Sequence, residues 1–218
     1  MKCLRIYFIF FVSAFLLAGG WVHADESIIS RYSKSTLYET AASELSAILA
    51  KMPAGDEAAH GFDSRSEFAG AGLGIPYQEY SMLTKKPTGF WRIPVTVNGE
   101  NRALVRYALE DGVWKWKGFG AAGLARELGE IEDRQSEKPL SGKILRDYKL
   151  TCDYIQFNIE SEYSIEGSFI PTANAKKFME FVSGTTSDTE AYGLSQIQQL
   201  RSKFLEIKGD TQEGEPHE

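Results

Sequence analysis

The chain has 218 residues, with 24 Lys and Arg against 30 Asp and Glu, and its formal net charge is −6. This length allows one domain with a substantial core or two small domains. The acidic balance gives no reason to expect nucleic-acid binding, because proteins that bind nucleic acids carry basic surfaces.

The N-terminal residues 1–24 have the layout of a secretory signal peptide. Lys2 and Arg5 precede an apolar run, and Val22 and Ala24 occupy the small-residue positions of a cleavage site. We expect cleavage after Ala24 and a periplasmic or extracellular location, such as the bacterial envelope. The alternative is an uncleaved membrane anchor, although the apolar run is shorter than the roughly twenty residues of a transmembrane helix.

Cleavage would leave few groups for catalysis or metal binding. It removes Lys2 and Arg5, which changes the net charge from −6 to −8, and it removes Cys3, so that Cys152 stays as a single cysteine. A single thiol cannot form an intramolecular disulfide, and the strand-like sequence around Cys152 favours burial. We predict no metal site, no cofactor and no catalytic residues.

An amphipathic helix is predicted first along the mature chain. Thr36 and Glu39 have the spacing of a capping box, and Pro53 and Gly55 end the pattern. One stripe is apolar and is expected to pack on the rest of the fold. Its members are Leu37, Ala41, Leu45, Ile48 and Met52.

An antiparallel meander is predicted over residues 77–117, where apolar side chains alternate along the chain. A three-residue loop at Asn98-Gly99 would place odd-numbered residues opposite each other, and Asp111-Gly112 fits a two-residue turn. This register puts three tryptophans on the buried face, where core packing is favoured over a sugar-binding platform. They are Trp91, Trp114 and Trp116.

The opposite face of the meander is basic. The predicted register places Arg106 opposite Lys117, and like charges that face each other destabilise a sheet. Solvent, carboxylates from another segment or an anionic ligand could offset them. The candidate anion-binding residues are Arg92, Arg102, Arg106, Lys115 and Lys117.

Residues 118–123 read Gly-Phe-Gly-Ala-Ala-Gly and match the G-x-G-x-x-G pattern of dinucleotide-binding folds. The preceding strand is the second arm of a hairpin, and no apolar strand that ends in an acidic residue follows. We therefore interpret the glycines as a tight joint between this strand and a helix that carries Leu124, Leu128 and Ile131.

The second half of the chain predicts further strands over residues 144–159 and 168–170, then two helices. A polar joint is possible near residues 130–140, and the acidic residues 209–218 read as a disordered tail. The sequence predicts one α+β domain over residues 25–208, with an antiparallel meander packed on one face by helices. Its first half, a helix followed by a meander, resembles the cystatin-like arrangement, which implies fold and not function.

These features favour an exported, non-catalytic binding or accessory protein of the periplasm or exterior. Its partner would be an anionic ligand or an envelope protein, with no stable membrane insertion after cleavage. The alternative is a secreted hydrolase that uses dispersed carboxylates or Cys152. A third class is a structural protein that keeps its N-terminal segment as a membrane tether.

Overall fold

The structure, a computed structural model, describes residues 26–135, 140–157, 167–184 and 191–209. The chain divides into two units, Met1–Ser33 and Lys34–Glu218, and the fold below is that of the second unit. The predicted signal peptide, part of the predicted joint and residues 210–218 of the acidic tail lie outside the described residues. Within these ranges, no helix has the length and apolar character needed to cross a membrane.

Among the described residues, one nine-stranded sheet forms the centre of the fold. Its strands are β1 (Ala71–Leu73), β2 (Tyr77–Ser81), β3 (Pro87–Val97), β4 (Glu100–Glu110), β5 (Val113–Gly120), β6 (Leu140–Asp147), β7 (Cys152–Phe157), β8 (Ser168–Pro171) and β9 (Tyr192–Gly193). They lie in the order β5-β4-β3-β2-β6-β7-β8-β9, and β1 pairs with β3 beside this path. Strands β2 and β6 are parallel, whereas the other pairs are antiparallel, so the sheet is mixed.

Helices pack on both faces of this sheet, which confirms the α+β class. The helices are α1 (Glu26–Ala50), α2 (Ala122–Arg134), α3 (Ala173–Ser183) and α4 (Leu194–Ile207), with short 3₁₀ helices at Ala58–His60 and Arg65–Gly70. Helices α1, α3 and α4 share the face that carries Trp91 and Trp114, here called the tryptophan face. Helix α2 packs on the opposite face, here called the arginine face, where the sequence predicts no helix.

Helix α1 buries the predicted apolar stripe but begins before the predicted cap. Leu37, Ala41, Leu45 and Ile48 are all buried against the tryptophan face, as expected from their spacing. Thr36 lies within the helix, so the predicted capping box is wrong. Its hydroxyl instead accepts a hydrogen bond of 3.2 Å from the indole Nε1 of Trp114, which links α1 to β5.

The hairpin between β3 and β4 has the predicted register but a different turn. Asn98 and Gly99 form a two-residue turn, with φ angles of 52° and 85°, and the chain pairs Val97 with Glu100. A bulge farther along then restores the pairing of odd-numbered residues, with Val95 opposite Ala103. The extra residue therefore lies inside β4 and not in the loop, and the odd-numbered apolar residues of β3 and β4 from Trp91 to Tyr107 still reach the tryptophan face.

The hairpin between β4 and β5 contains a bulge that the sequence prediction lacked. Ala108 faces Lys115, as predicted, and Tyr107 faces Trp116. The register then shifts, so that Arg106 lies opposite Gly118 and not opposite Lys117. The predicted pair of opposed cations, Arg106 and Lys117, is therefore wrong, because Lys117 is the extra residue of the bulge.

The three tryptophans differ in burial. Trp91 and Trp114 are buried and meet edge to face, with ring centroids 6.4 Å apart. Trp116 is 37% exposed, so its predicted burial is wrong. The amine of Lys51 lies over its indole ring, 5.0 Å from the ring centre. The indole N–H donates a hydrogen bond of 2.8 Å to the backbone carbonyl of Gly118.

Candidate functional site

A row of charged side chains crosses five neighbouring strands on the arginine face. Arg106 of β4 lies opposite Arg92 of β3, and Arg146 of β6 lies opposite Asp153 of β7. Strand β2, between them, contributes Glu79, which pairs with Ile144 of the parallel strand β6. Helix α2 covers the apolar part of this face and leaves the charged row at its N-terminal side.

Glu79 lies at the centre of the row and is fully buried. Its carboxylate accepts hydrogen bonds from Arg92 Nε at 2.7 Å, from an Arg106 amino group at 3.2 Å and from the phenol of Tyr148. Burial alone would raise the pKa of Glu79, but the charges of Arg92 and Arg106 and the Tyr148 hydrogen bond outweigh it and hold the pKa below its ordinary value. Glu79 is therefore an anion at neutral pH and not a proton donor.

Asp153 joins Arg92 to Arg146. Its two carboxylate oxygens accept from Arg92 at 3.3 Å and from Arg146 at 2.6 Å. Among the described residues, the row thus sets three guanidinium groups against two carboxylates. One positive charge is left over in this row.

The row borders a cleft of about 520 Å³, here called the arginine cleft. Its charged end is formed by Arg92, Arg106, Arg146, Lys117 and Asp153, with Tyr148 beside them, and residues 118–121 line it with Leu104 and Leu124. Arg92 is nearly buried, with 9% of its side chain exposed, whereas Arg106 and Arg146 are 35% and 23% exposed. Arg106 and Arg146 are therefore the guanidinium groups that a molecule in the cleft could reach.

Arg106 has hydrogen-bonding capacity to spare. Its guanidinium carbon lies 3.6 Å from the centre of the Phe90 ring, which supports it from one side. Its Nε is buried and has no hydrogen-bond partner among the described residues. The pairing with Glu79 therefore does not satisfy the whole donor set of this side chain.

Three of the five predicted anion-binding residues line the arginine cleft: Arg92, Arg106 and Lys117. Arg102 lies elsewhere and pairs with carboxylates of Asp63, Glu67 and Glu100, at 3.4, 3.1 and 3.2 Å. Lys115 is outside the cleft and shares Glu110 with Lys117. The five cations thus form separate groups, each with carboxylate partners.

The structure adds four residues to the site that the sequence did not indicate. Arg146, Tyr148 and Asp153 line the cleft, and the buried Glu79 contacts the lining from behind through Arg92, Arg106 and Tyr148. The parallel pairing of β2 with β6 and the β6–β7 hairpin bring these residues together. The alternation of Asp153 with apolar residues was visible in the sequence, and a lone acidic residue on an otherwise apolar strand face is the signal that could have identified it. Pairing between β2 and β6 leaves no such local signal.

The glycine-rich segment is the predicted strand-to-helix joint. Strand β5 ends at Gly120, and α2 begins at Ala122 after Ala121 in the left-handed conformation, with a φ of 55°. Strand β5 is antiparallel to β4 and lies at the edge of the sheet, whereas a dinucleotide fingerprint follows a parallel strand. Residues 118–121 of this joint line the arginine cleft.

The candidate nucleophile of the hydrolase hypothesis, Cys152, is poorly placed for attack. Its side chain is buried, and its thiol donates to the carbonyl of Leu150 at 3.3 Å. Burial, with smaller contributions from the nearby charges of Asp147 and Asp153, raises the pKa of Cys152 to about 11. The thiolate needed for nucleophilic chemistry is therefore scarce at neutral pH.

In the described ranges, no group of three or more His, Cys, Asp and Glu side chains is arranged to hold a metal ion. Tyr148 is also held neutral, because burial and the adjacent Glu79 carboxylate raise its pKa. With Glu79 ionised and Tyr148 neutral, neither side chain has a pKa shifted toward neutrality, as proton transfer at that pH would favour.

Comparison of the chain with protein-family models, with curated proteins and with solved structures finds no match.

Proposed function

We propose that the protein is an exported, non-catalytic binding protein that holds an anionic ligand in the arginine cleft. The observation that carries this proposal is the uneven charge of the row, where three arginines face two carboxylates beside a cleft of about 520 Å³. An anion in the cleft would balance the remaining positive charge. The buried surroundings of the row have a lower dielectric constant than water, so they strengthen the attraction between the anion and the arginines.

The arginines have different roles in this proposal. Arg92, held between Glu79 and Asp153, builds the floor and fixes both carboxylates. Arg106 and Arg146 are more exposed and present planar donor groups that can bind a carboxylate or phosphate oxygen at two points. Lys117 adds charge at the rim, where Glu110 partly balances it.

Binding is tested by measuring the thermal stability of the exported product in the presence of acetate, hexanoate, inorganic phosphate and sulfate at constant ionic strength. At least one anion is expected to raise the melting temperature in a saturable way, because a ligand that binds only the folded state stabilises it. The Arg106→Gln/Arg146→Gln double variant should lose this response. The control Arg102→Gln, which changes a paired arginine outside the cleft, should keep it.

A flat response of the wild type to all four anions would contradict the proposal, as would an equal response of the double variant. Export is tested separately by mass spectrometry of the protein recovered from the medium and the periplasm. A mature chain that begins at Asp25 is expected, and a chain that begins at Met1 in the membrane fraction would contradict export.

A further inference from the structure

Open space lies next to Gly118 in the lining of the arginine cleft. Gly118 is the cross-strand neighbour of Arg106, and a methyl group built on its Cα would meet no atom within 4 Å. Its φ lies outside the left-handed region, so the backbone does not require glycine there. The missing side chain leaves open space in the cleft lining, on the face that also carries Arg106.

The arginine cleft is apolar at the end nearest helix α2. Leu104 lies two residues before Arg106 on the same strand face, about 7 Å away along the strand, and it pairs with Gly120. Leu124, in the first turn of α2, also lines the cleft. A charged end and an apolar end thus lie within the length of one small molecule.

The charge of the row favours a ligand with a single negative charge. Glu79 and Asp153 already balance two of the three arginines of the row, whereas at the rim Lys117 and Lys115 share the single carboxylate of Glu110. A monoanion between Arg106 and Arg146 would complete the balance within the row, whereas the second negative charge of a dianion, such as doubly ionised phosphate, would exceed what the row itself balances. Charge that is buried without a partner is costly.

We propose that the ligand class of the arginine cleft is a small organic monocarboxylate. Its carboxylate would bind Arg106 and Arg146, and its apolar body would lie over Gly118 and against Leu104 and Leu124. This inference rests on the proposed binding function and specifies its ligand.

The test is isothermal titration calorimetry of the exported product with acetate, butyrate, hexanoate and inorganic phosphate. Affinity is expected to rise along the carboxylate series by about fourfold per buried CH₂, the equivalent of ~0.8 kcal/mol. Hexanoate should bind at least tenfold more tightly than phosphate. The dependence of affinity on the length of the carboxylate chain is measured on the wild-type protein. This part of the test therefore does not require any variant to fold.

Gly118→Val tests the position of the apolar body. This variant should weaken hexanoate binding at least tenfold with a melting temperature close to that of the wild type, because the new side chain fills the open space. The matched control is Gly123→Val, at an exposed glycine in α2 outside the cleft lining, where a Cβ also meets no atom within 4 Å. Gly118→Ala provides a smaller change if the valine variant unfolds.

The outcomes separate the two proposals. If phosphate binds as tightly as hexanoate and Arg106→Gln abolishes binding of both, the cleft binds anions but the monocarboxylate inference is overturned. The monocarboxylate inference is also overturned if Gly118→Val and Gly118→Ala, both folded, leave hexanoate affinity unchanged. If none of the four anions binds, the proposed function fails as well.

Discussion

Arg92 and Arg106 lie directly opposite each other on neighbouring strands, and the buried carboxylate of Glu79 contacts both. Two like charges in this position would destabilise the sheet by themselves. The single carboxylate reverses that effect and at the same time fixes the more exposed guanidinium group at the cleft. The stability of the sheet and the charge of the cleft therefore depend on the same residue.

Replacing Glu79 with glutamine should lower the free energy of unfolding by ~3–5 kcal/mol, because it leaves the buried guanidinium of Arg92 without its main partner. Urea denaturation measures this loss. The matched control is Glu100→Gln, whose carboxylate is 70% exposed and contacts Arg102, with an expected loss below ~1 kcal/mol. Equal losses in the two variants would contradict the central role of Glu79.

The stability of the fold should fall in acid partly through Glu79. Its pKa in the folded chain is held below the ordinary value of 4.5, so the unfolded chain binds the proton first as the pH falls. The ionised Glu79 therefore contributes its full share of the free energy of unfolding above about pH 4.5. This contribution is lost as the pH falls through the lower pKa of Glu79 in the folded chain. Denaturation at a series of pH values should show a shallower acid slope for Glu79→Gln than for wild type, and identical slopes would exclude this contribution.

Gly61 fixes the 3₁₀ segment Ala58–His60 against β4. It has a φ of 88°, and a Cβ at this position would lie 2.2 Å from the carbonyl oxygen of Arg102. Gly61→Ala should therefore destabilise the fold by the left-handed strain of ~1–2 kcal/mol and by a further ~1–3 kcal/mol for the clash. Gly55→Ala carries similar strain, with a φ of 96°, but meets no atom within 4 Å. Urea denaturation that gives the same loss for both variants would show that the close approach is absent.

The tryptophans should contribute unequally to stability. Trp91→Ala leaves a cavity in the core between α1 and the tryptophan face. This variant should lower the free energy of unfolding by ~3–5 kcal/mol. Trp116→Ala removes a partly exposed ring and should cost ~1 kcal/mol. Chemical denaturation of both variants checks this order, and a loss for Trp116→Ala as large as that for Trp91→Ala would restore the simple prediction that both rings are core residues.

The spacing of apolar residues along the chain was sufficient to predict α1, β3 and β4, which form much of the tryptophan face and its cover. The stripe of α1 and the alternation in β3 and β4 each depend on residues close in sequence, so their buried faces were predicted correctly. The bulge at Lys117 was not, because a bulge changes which residues oppose each other without changing the alternation on either side. The wrong partner for Arg106 follows from that single residue.

The cleft itself could be predicted only in part. Arg92 and Arg106 were identified from the meander, but their carboxylate partners come from β2 and β7, and the parallel pairing of β2 with β6 joins segments far apart in the chain. No turn sets the register of such a pair. The sequence therefore indicated an excess of positive charge on one sheet face and did not indicate Glu79 and Asp153, which balance most of it.

The most direct test of anion binding in the arginine cleft is a nuclear magnetic resonance titration that follows the side-chain Nε–Hε signals of the arginines as hexanoate is added. The signals of Arg106 and Arg146 should shift along one saturable curve, while the signal of Arg102, paired outside the cleft, should stay in place. The account would be contradicted if the signals of Arg106 and Arg146 did not move, or if the largest shift occurred at Arg102.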